Sequence, residues 1–239
     1  MKLQQIIEQH WYDKVHSFLT LLLFPFSIIY AIIVIIRKWL FIFKLKTQTK
    51  IAVPVVVIGN ISVGGAGKTP LTKALATDLI AKGIKVGIIL RGYKGSADKE
   101  LIVKTTDSSA IVGDEALIYA QAGFRVAIGR KRVAAAQLLL SEYPETQLIL
   151  ADDGMQHYYL DRDMEICVID SSRMFGNQQL LPLGPLRESM NRLKSVDAIV
   201  INGYANQDKL TSILAKYPVP LYHQELEFVH FYNPQRSEE

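Results

Sequence analysis

The spacing of apolar positions changes near residue 50, and the two sides of that point require different elements. From Phe18 to Ile36 there are 19 consecutive residues without a formal charge, most of them Leu, Ile, Val or Phe. Wound as a helix, the run is about 28 Å long, close to the hydrocarbon thickness of a bilayer, and it predicts an N-terminal membrane helix. It ends in Arg37-Lys38-Trp39 rather than in small residues, which does not fit a cleaved signal peptide. The bases that follow place the rest of the chain in the cytoplasm by the positive-inside tendency. Pro25 and a second apolar patch, Trp39 to Phe43, also suit a broken helix lying in the interface of one leaflet. A buried core helix is the remaining alternative.

After Lys50, short apolar runs alternate with helical patterns, which predicts an α/β fold: a largely parallel sheet flanked by helices. The strand candidates are Val53 to Ile58, Lys85 to Leu90, Arg125 to Ile128, Leu148 to Ala151, Ile166 to Ile169 and Ala198 to Ile201. Helices are expected over Thr69 to Lys82, Asp114 to Ala122 and Arg130 to Glu142. The stretch Ser171 to Arg192, with Pro182, Gly184 and Pro185, reads as a long loop with a short helix, and long loops tend to carry function.

Charge narrows the range of partners. Lys and Arg exceed Asp and Glu by 27 to 23, but residues 1–50 hold seven bases against two acids, so the remainder carries a net −1. A nucleic-acid footprint along the body is therefore excluded, and the basic segment belongs beside an anionic membrane. The single cysteine, Cys167, sits in the apolar run Ile166 to Ile169 and reads as a core residue. An intramolecular disulfide, thiol catalysis and a cysteine-rich metal site are all excluded.

The strongest chemical signal runs from Val55 to Pro70. A strand enters Ser62-Val63-Gly64-Gly65-Ala66-Gly67-Lys68-Thr69, whose amides suit phosphate oxygens and whose following helix adds its positive end. This is a P-loop NTPase pattern with Ser62 in place of the usual first glycine. Lys68 is expected to reach the β- and γ-phosphates of ATP, and Thr69 to ligate Mg²⁺. A second metal carboxylate is expected at a neighbouring strand end, where Asp152 and Asp153 close the run Leu148 to Ala151. Arg187 is the candidate for stabilising charge on the transferring phosphoryl group. Arg91 and Tyr93, after a strand end, are candidate substrate or phosphate contacts. Gln156 and His157, just past the aspartates, are assigned with them to the substrate side, with a structural role for His157 the simpler alternative. Arg130-Lys131-Arg132 reads as a solvated charged turn.

Five motifs in order carry a family resemblance: Gly59 to Pro70, Arg91-Gly92-Tyr93, Val112-Gly113-Asp114-Glu115, Asp152-Asp153-Gly154-Met155-Gln156-His157 and Leu181 to Glu188. Behind an apolar N-terminal segment, the set resembles the tetraacyldisaccharide 4′-kinases of lipid A synthesis, with Met155 where the family commonly has Phe. The resemblance implies an ATP- and Mg²⁺-dependent P-loop kinase acting on a lipid A disaccharide precursor at the cytoplasmic face of the bacterial inner membrane. It implies residues 1–50 as anchor and basic flank, and 51–239 as kinase core. It also implies Asp114 as the base that accepts the hydroxyl proton; an N-cap of the next helix is a compatible role. Family members continue into a further C-terminal portion with a histidine that works with this aspartate, which is expected to lie beyond Glu239. Two other classes remain in play: a membrane-associated ATPase switch, whose signature lysine before the glycine pair is Val63 here, and a non-catalytic nucleotide-binding scaffold.

Overall fold

The computed structural model describes residues 3–12, 17–93 and 95–226. The chain end from 227 onward, including the expected boundary near Glu239, lies outside the described residues. Helix α1 (Leu3–Tyr12) is followed by α2 (Ser17–Ile42), which runs unbroken through Pro25 and the Trp39 patch. The expected break is therefore absent. Pro25 removes one donor from the ladder, and Ser27 and Tyr30, just past it, bind the body and hold the helix there. A buried core helix is ruled out as well: Phe18, Leu21, Phe24, Ile28, Ile32, Ile36 and Trp39 all stand exposed.

Beyond residue 50 the elements are β1 (Val55–Gly59), α3 (Lys68–Ala81), β2 (Val86–Leu90), β3 (Leu101–Ile102), α4 (Ser109–Val112), α5 (Asp114–Gln121), β4 (Arg125–Ile128) and α6 (Arg132–Glu142). They continue as β5 (Leu148–Asp152), β6 (Met164–Asp170), a 3₁₀ turn (Met190–Ser195), β7 (Ala198–Asn202), α7 (Gln207–Leu214) and β8 (Leu221–Gln224). One eight-stranded sheet has the order β3-β4-β2-β5-β1-β6-β7-β8. All pairs are parallel except the short β3, which lies antiparallel on β4 at the edge.

Strand alternation divides the core between the two faces of the sheet. Val57, Ile89, Ala127, Ile149 and Cys167 face α6 and α7, which contribute Ala135, Leu139, Leu210 and Leu214. Ile58, Ile88, Leu150 and Val168 face α3 and α5, which contribute Ala76, Ala116 and Tyr119. Both faces of this sheet are thus covered, which is why its strands read as continuous apolar runs. Cys167 is fully buried, and burial pushes its thiol up to about 12, as expected of a core residue. The carboxyl ends of β2, β5 and β1 open together on one edge, where ligands of such sheets bind.

Candidate active site

The loop after β1 is tied down by its neighbours. Val63 N donates to Pro185 O at 2.8 Å, Arg187 N donates to Ile61 O at 2.7 Å, and Ser62 bridges Leu186. These contacts bring the motif Leu181 to Glu188 alongside the glycine loop. Gly67 is left-handed (φ 87°), and a Cβ there would stand 2.6 Å from Asn202 Nδ2 and 2.7 Å from Gln224 Nε2. Only glycine therefore fits where β7 and β8 brace the loop, and Gln224 Nε2 donates to Gly67 O at 3.0 Å.

Lys68 opens α3 with its ammonium donating to Asn60 Oδ1 at 3.3 Å and 3.5 Å from Asp153 Oδ1. Arg187 Nη1 donates to both Asp153 oxygens, at 3.0 and 3.1 Å, and to Gln156 Oε1 at 3.2 Å. Burial pushes the Asp153 carboxyl up, but Lys68 and Arg187 outweigh it and hold the group below the usual carboxylate range. Asp152 is the opposite case. It is 2% exposed, and burial raises its carboxyl above the ordinary value despite the Tyr119 hydroxyl, which donates to Oδ2 at 2.7 Å. Thr69 Oγ1 donates to the same oxygen at 3.4 Å, while Oδ1 is buried with no hydrogen-bond partner.

That orphaned oxygen tests the site for Mg²⁺. A hard cation of this kind takes one or two carboxylates and completes its shell with phosphate and water. Thr69 and Asp152 meet this requirement beside Lys68, and Glu115 stands in the same cleft with its carboxyl raised by burial and by the charge of Asp152. Among the described residues no cluster of three or more His, Cys, Asp or Glu forms a dedicated metal cage. The residues therefore fit a phosphate-borne Mg²⁺ rather than a resident one.

The cleft has two parts, of about 730 and 490 Å³, that share Val63 and Gly64. Of the residues singled out in sequence, the larger part brings together Val63 through Thr69, Arg91, Tyr93, Asp152, Asp153, Gln156, His157 and Arg187. Ser62 stands just before it, in its bridge with Leu186. Asp114 is the exposed first residue of α5 rather than its N-cap, which is Gly113, and its neighbour Glu115 lines the cleft instead. His157 is pushed down to about 4, first by burial and then by Arg132, so its imidazole is neutral near pH 7.

Arg132 departs from the solvated-turn reading. It is 3% exposed, donates to Gly129 O at 2.7 Å and Asp152 O at 3.5 Å, and burial lowers its guanidinium to about 10. The α6 N-terminus sits under the β5 end, so the third charge of the run turns inward while Arg130 and Lys131 stay exposed. Glu188 was also missed as a site residue. Buried at 2% exposure, it accepts from Gln156 Nε2 at 3.0 Å and from the Tyr158 hydroxyl, and Arg192 Nε stands 3.4 Å away. Arg37 and Phe41 of α2 pack on the Tyr158 ring, so one chain of contacts runs from α2 through Glu188 and Gln156 to Arg187.

A family model described as tetraacyldisaccharide-1-P 4′-kinase matches residues 19–239. The chain belongs to this family. A tetraacyldisaccharide 4′-kinase of Chromobacterium violaceum is 49% identical over 91% of this chain and 64% of its own length. One from Methylobacillus flagellatus is 46% identical over 82% of this chain and 58% of its own. The chain thus spans about 58–64% of the length of these curated relatives. The fold is shared with a crystal structure of the family's LpxK from Aquifex aeolicus in complex with ATP. The TM-score is 0.69 at 24% identity, covering 90% of this chain and 85% of that one. Within this tetraacyldisaccharide-1-P 4′-kinase family member, the five sequence motifs converge on the phosphate loop, and each contributes at least one residue to the lining of its cleft.

Proposed function

We propose that the chain forms the P-loop part of a lipid kinase that transfers the γ-phosphate of ATP to the 4′-hydroxyl of a tetraacylated glucosamine disaccharide 1-phosphate. The observation that carries this reading is the convergence of Lys68, Asp153, Gln156 and Arg187 beside a glycine loop in a chain of this family. Loop amides and Lys68 bind the triphosphate, and Arg187 takes up charge on the transferring group once that group displaces it from Asp153. Thr69 and Asp152 would hold Mg²⁺, which would supply charge neutralisation on the phosphates. Asp114, at the open end of α5, accepts the proton of the attacking hydroxyl, and Glu115 faces the metal side of the cleft. Phosphoryl transfer needs little else from the protein.

The same reading places the protein on the cytoplasmic face of the bacterial inner membrane, with α2 in the interface rather than across it. Ser27 Oγ donates to Leu180 O and Tyr30 hydroxyl to Arg187 O, both at 3.0 Å, while Arg37 and Phe41 pack on Tyr158. These residues recur at helical spacing along one seam, so the body accompanies the helix over most of its length. A spanning helix would carry that polar body into the hydrocarbon, where unpaired polar groups cost several kcal/mol or so each. Lying flat, α2 buries Leu21, Ile28, Ile32 and Trp39 in one leaflet. Incubation with labelled ATP and the disaccharide lipid in detergent micelles tests the function: label is expected in the lipid. ATP hydrolysis without lipid labelling would favour the ATPase switch instead, and nucleotide binding with neither would favour the scaffold.

A further inference from the structure

The segment that carries Arg187 is held from two sides. Toward the phosphate loop, Arg187 N donates to Ile61 O at 2.7 Å and Val63 N donates to Pro185 O at 2.8 Å. Toward α2, the Tyr30 hydroxyl donates to Arg187 O and Ser27 Oγ to Leu180 O, both at 3.0 Å. Leu180 in turn bridges Leu186, and Leu181 N donates to Leu186 O at 2.9 Å, so both arms of this turn are tied to one helix. The backbone N–H and carbonyl of Arg187 are thus both engaged, and only its side chain is left to exchange Asp153 and Gln156 for a phosphate.

We propose that Tyr30 is a positioning residue for Arg187, which makes α2 a working part of the phosphate site as well as an anchor. The proposal rests on the kinase reading above for what Arg187 does, and adds what sets its place. Three observations lead to it. Anchoring does not need the hydroxyl: α2 already exposes Phe26, Ile29 and Ile33, and phenylalanine at position 30 would serve an apolar face equally well. The carbonyl that the hydroxyl holds belongs to the residue that bonds both Asp153 oxygens, so a shift of that carbonyl moves the root of the guanidinium. The contact is also separate from the ionic route, in which Arg37 stacks on Tyr158 and Glu188 holds Gln156. The helix therefore reaches Arg187 twice, at the backbone through Tyr30 and at the side chain through Gln156. Groups that take up charge on a transferring phosphoryl act only when so held, since misplacement by about 1 Å can cost about a hundredfold in rate.

The test compares Tyr30→Phe, Arg187→Ala and the double variant in detergent micelles. The probe is ADP with Mg²⁺ and beryllium fluoride, which mimics a bound γ-phosphate and needs no acceptor. Tyr30→Phe is expected to weaken the mimic about three- to tenfold, as loss of one hydrogen bond does, while ADP alone binds as in the parent. Arg187→Ala is expected to weaken the mimic further, and Tyr30→Phe added to it should change nothing, because the contact acts only through the lost side chain. In lipid phosphorylation Tyr30→Phe is expected to lower kcat and leave the KM for ATP in place. Additive losses in the double variant, or a mimic bound as in the parent by either single variant, would overturn the positioning role and leave the kinase reading standing. Weaker binding of ADP itself by Tyr30→Phe would also overturn it and make Tyr30 a support of the whole loop. The expected mimic pattern without any lipid phosphorylation would support the positioning role and count against the kinase reading.

Discussion

Replacing Glu188 with Ala should cost both stability and turnover, because this one buried carboxylate joins the body's ionic network to the phosphate site. At 2% exposure, it is the acceptor for Gln156 Nε2 and the Tyr158 hydroxyl, and a counter-charge for Arg192. Breaking a buried pair on one side typically costs about 3–5 kcal/mol. Arg192 keeps Glu165, with which it forms a second buried contact, so the lower end applies, about 3 kcal/mol. For a protein of this size that is a fall in Tm of about 6–12 °C. Gln156 would at the same time lose one of the two acceptors that aim its carbonyl oxygen at Arg187, keeping Asn60 O at 3.1 Å, and turnover should drop by up to about tenfold. Glu188→Gln keeps one acceptor oxygen and should recover part of both losses. Thermal unfolding by circular dichroism together with lipid phosphorylation rates measures the pair of effects. A Tm within about 2 °C of the parent for Glu188→Ala would refute the reasoning, since it would mean that the buried charge network carries no net weight.

Lys68→Ala should weaken binding of a fluorescent ATP analogue by at least about tenfold, and unchanged affinity would contradict the loop assignment. Asp114→Ala should lower turnover while ATP binding persists; loss of nucleotide binding would move Asp114 to a structural or metal role. Tyr119→Phe removes a hydrogen bond that holds the raised Asp152 carboxyl down, so its pKa should rise further. Because metal binding needs the ionised carboxylate, the acid limb of the pH–rate profile should move to higher pH, and a shift to lower pH would refute the sign. Cys167, with its thiol pushed up to about 12 in the core, should resist a soluble thiol reagent at neutral pH until the protein unfolds.

The sheet was legible because its strands are apolar on both faces and its helices alternate with them. The start of β1 moved from Val53 to Val55 because Pro54 has no N–H to give the ladder. The edge strands β3 and β8 escaped notice because one is two residues long and the other is largely exposed and polar. In α1, Leu3, Ile6, Ile7 and Trp11 do recur at helical spacing, a signal overshadowed by the longer apolar run beside it. The phosphate loop and the aspartate pair were legible because their chemistry is local in sequence. The interior charges were not. Nothing in Arg130-Lys131-Arg132 says which side chain turns under the sheet, and adjacent helical residues such as Asp114 and Glu115 point about 100° apart, so spacing cannot say which lines the cleft. Tyr119 and Glu188 meet partners about 30 residues away in the chain, through strands whose order had to be known first.

In the proposed reaction this P-loop site delivers phosphate to one hydroxyl of a membrane-borne disaccharide. Tandem mass spectrometry of the lipid recovered after incubation with ATP and Mg²⁺ in micelles tests it most directly. The account predicts a product one phosphate heavier whose new group lies on the 4′ position of the distal glucosamine, and whose formation is lost in Lys68→Ala. A phosphate at any other position, or an unmodified lipid beside consumed ATP, would contradict it.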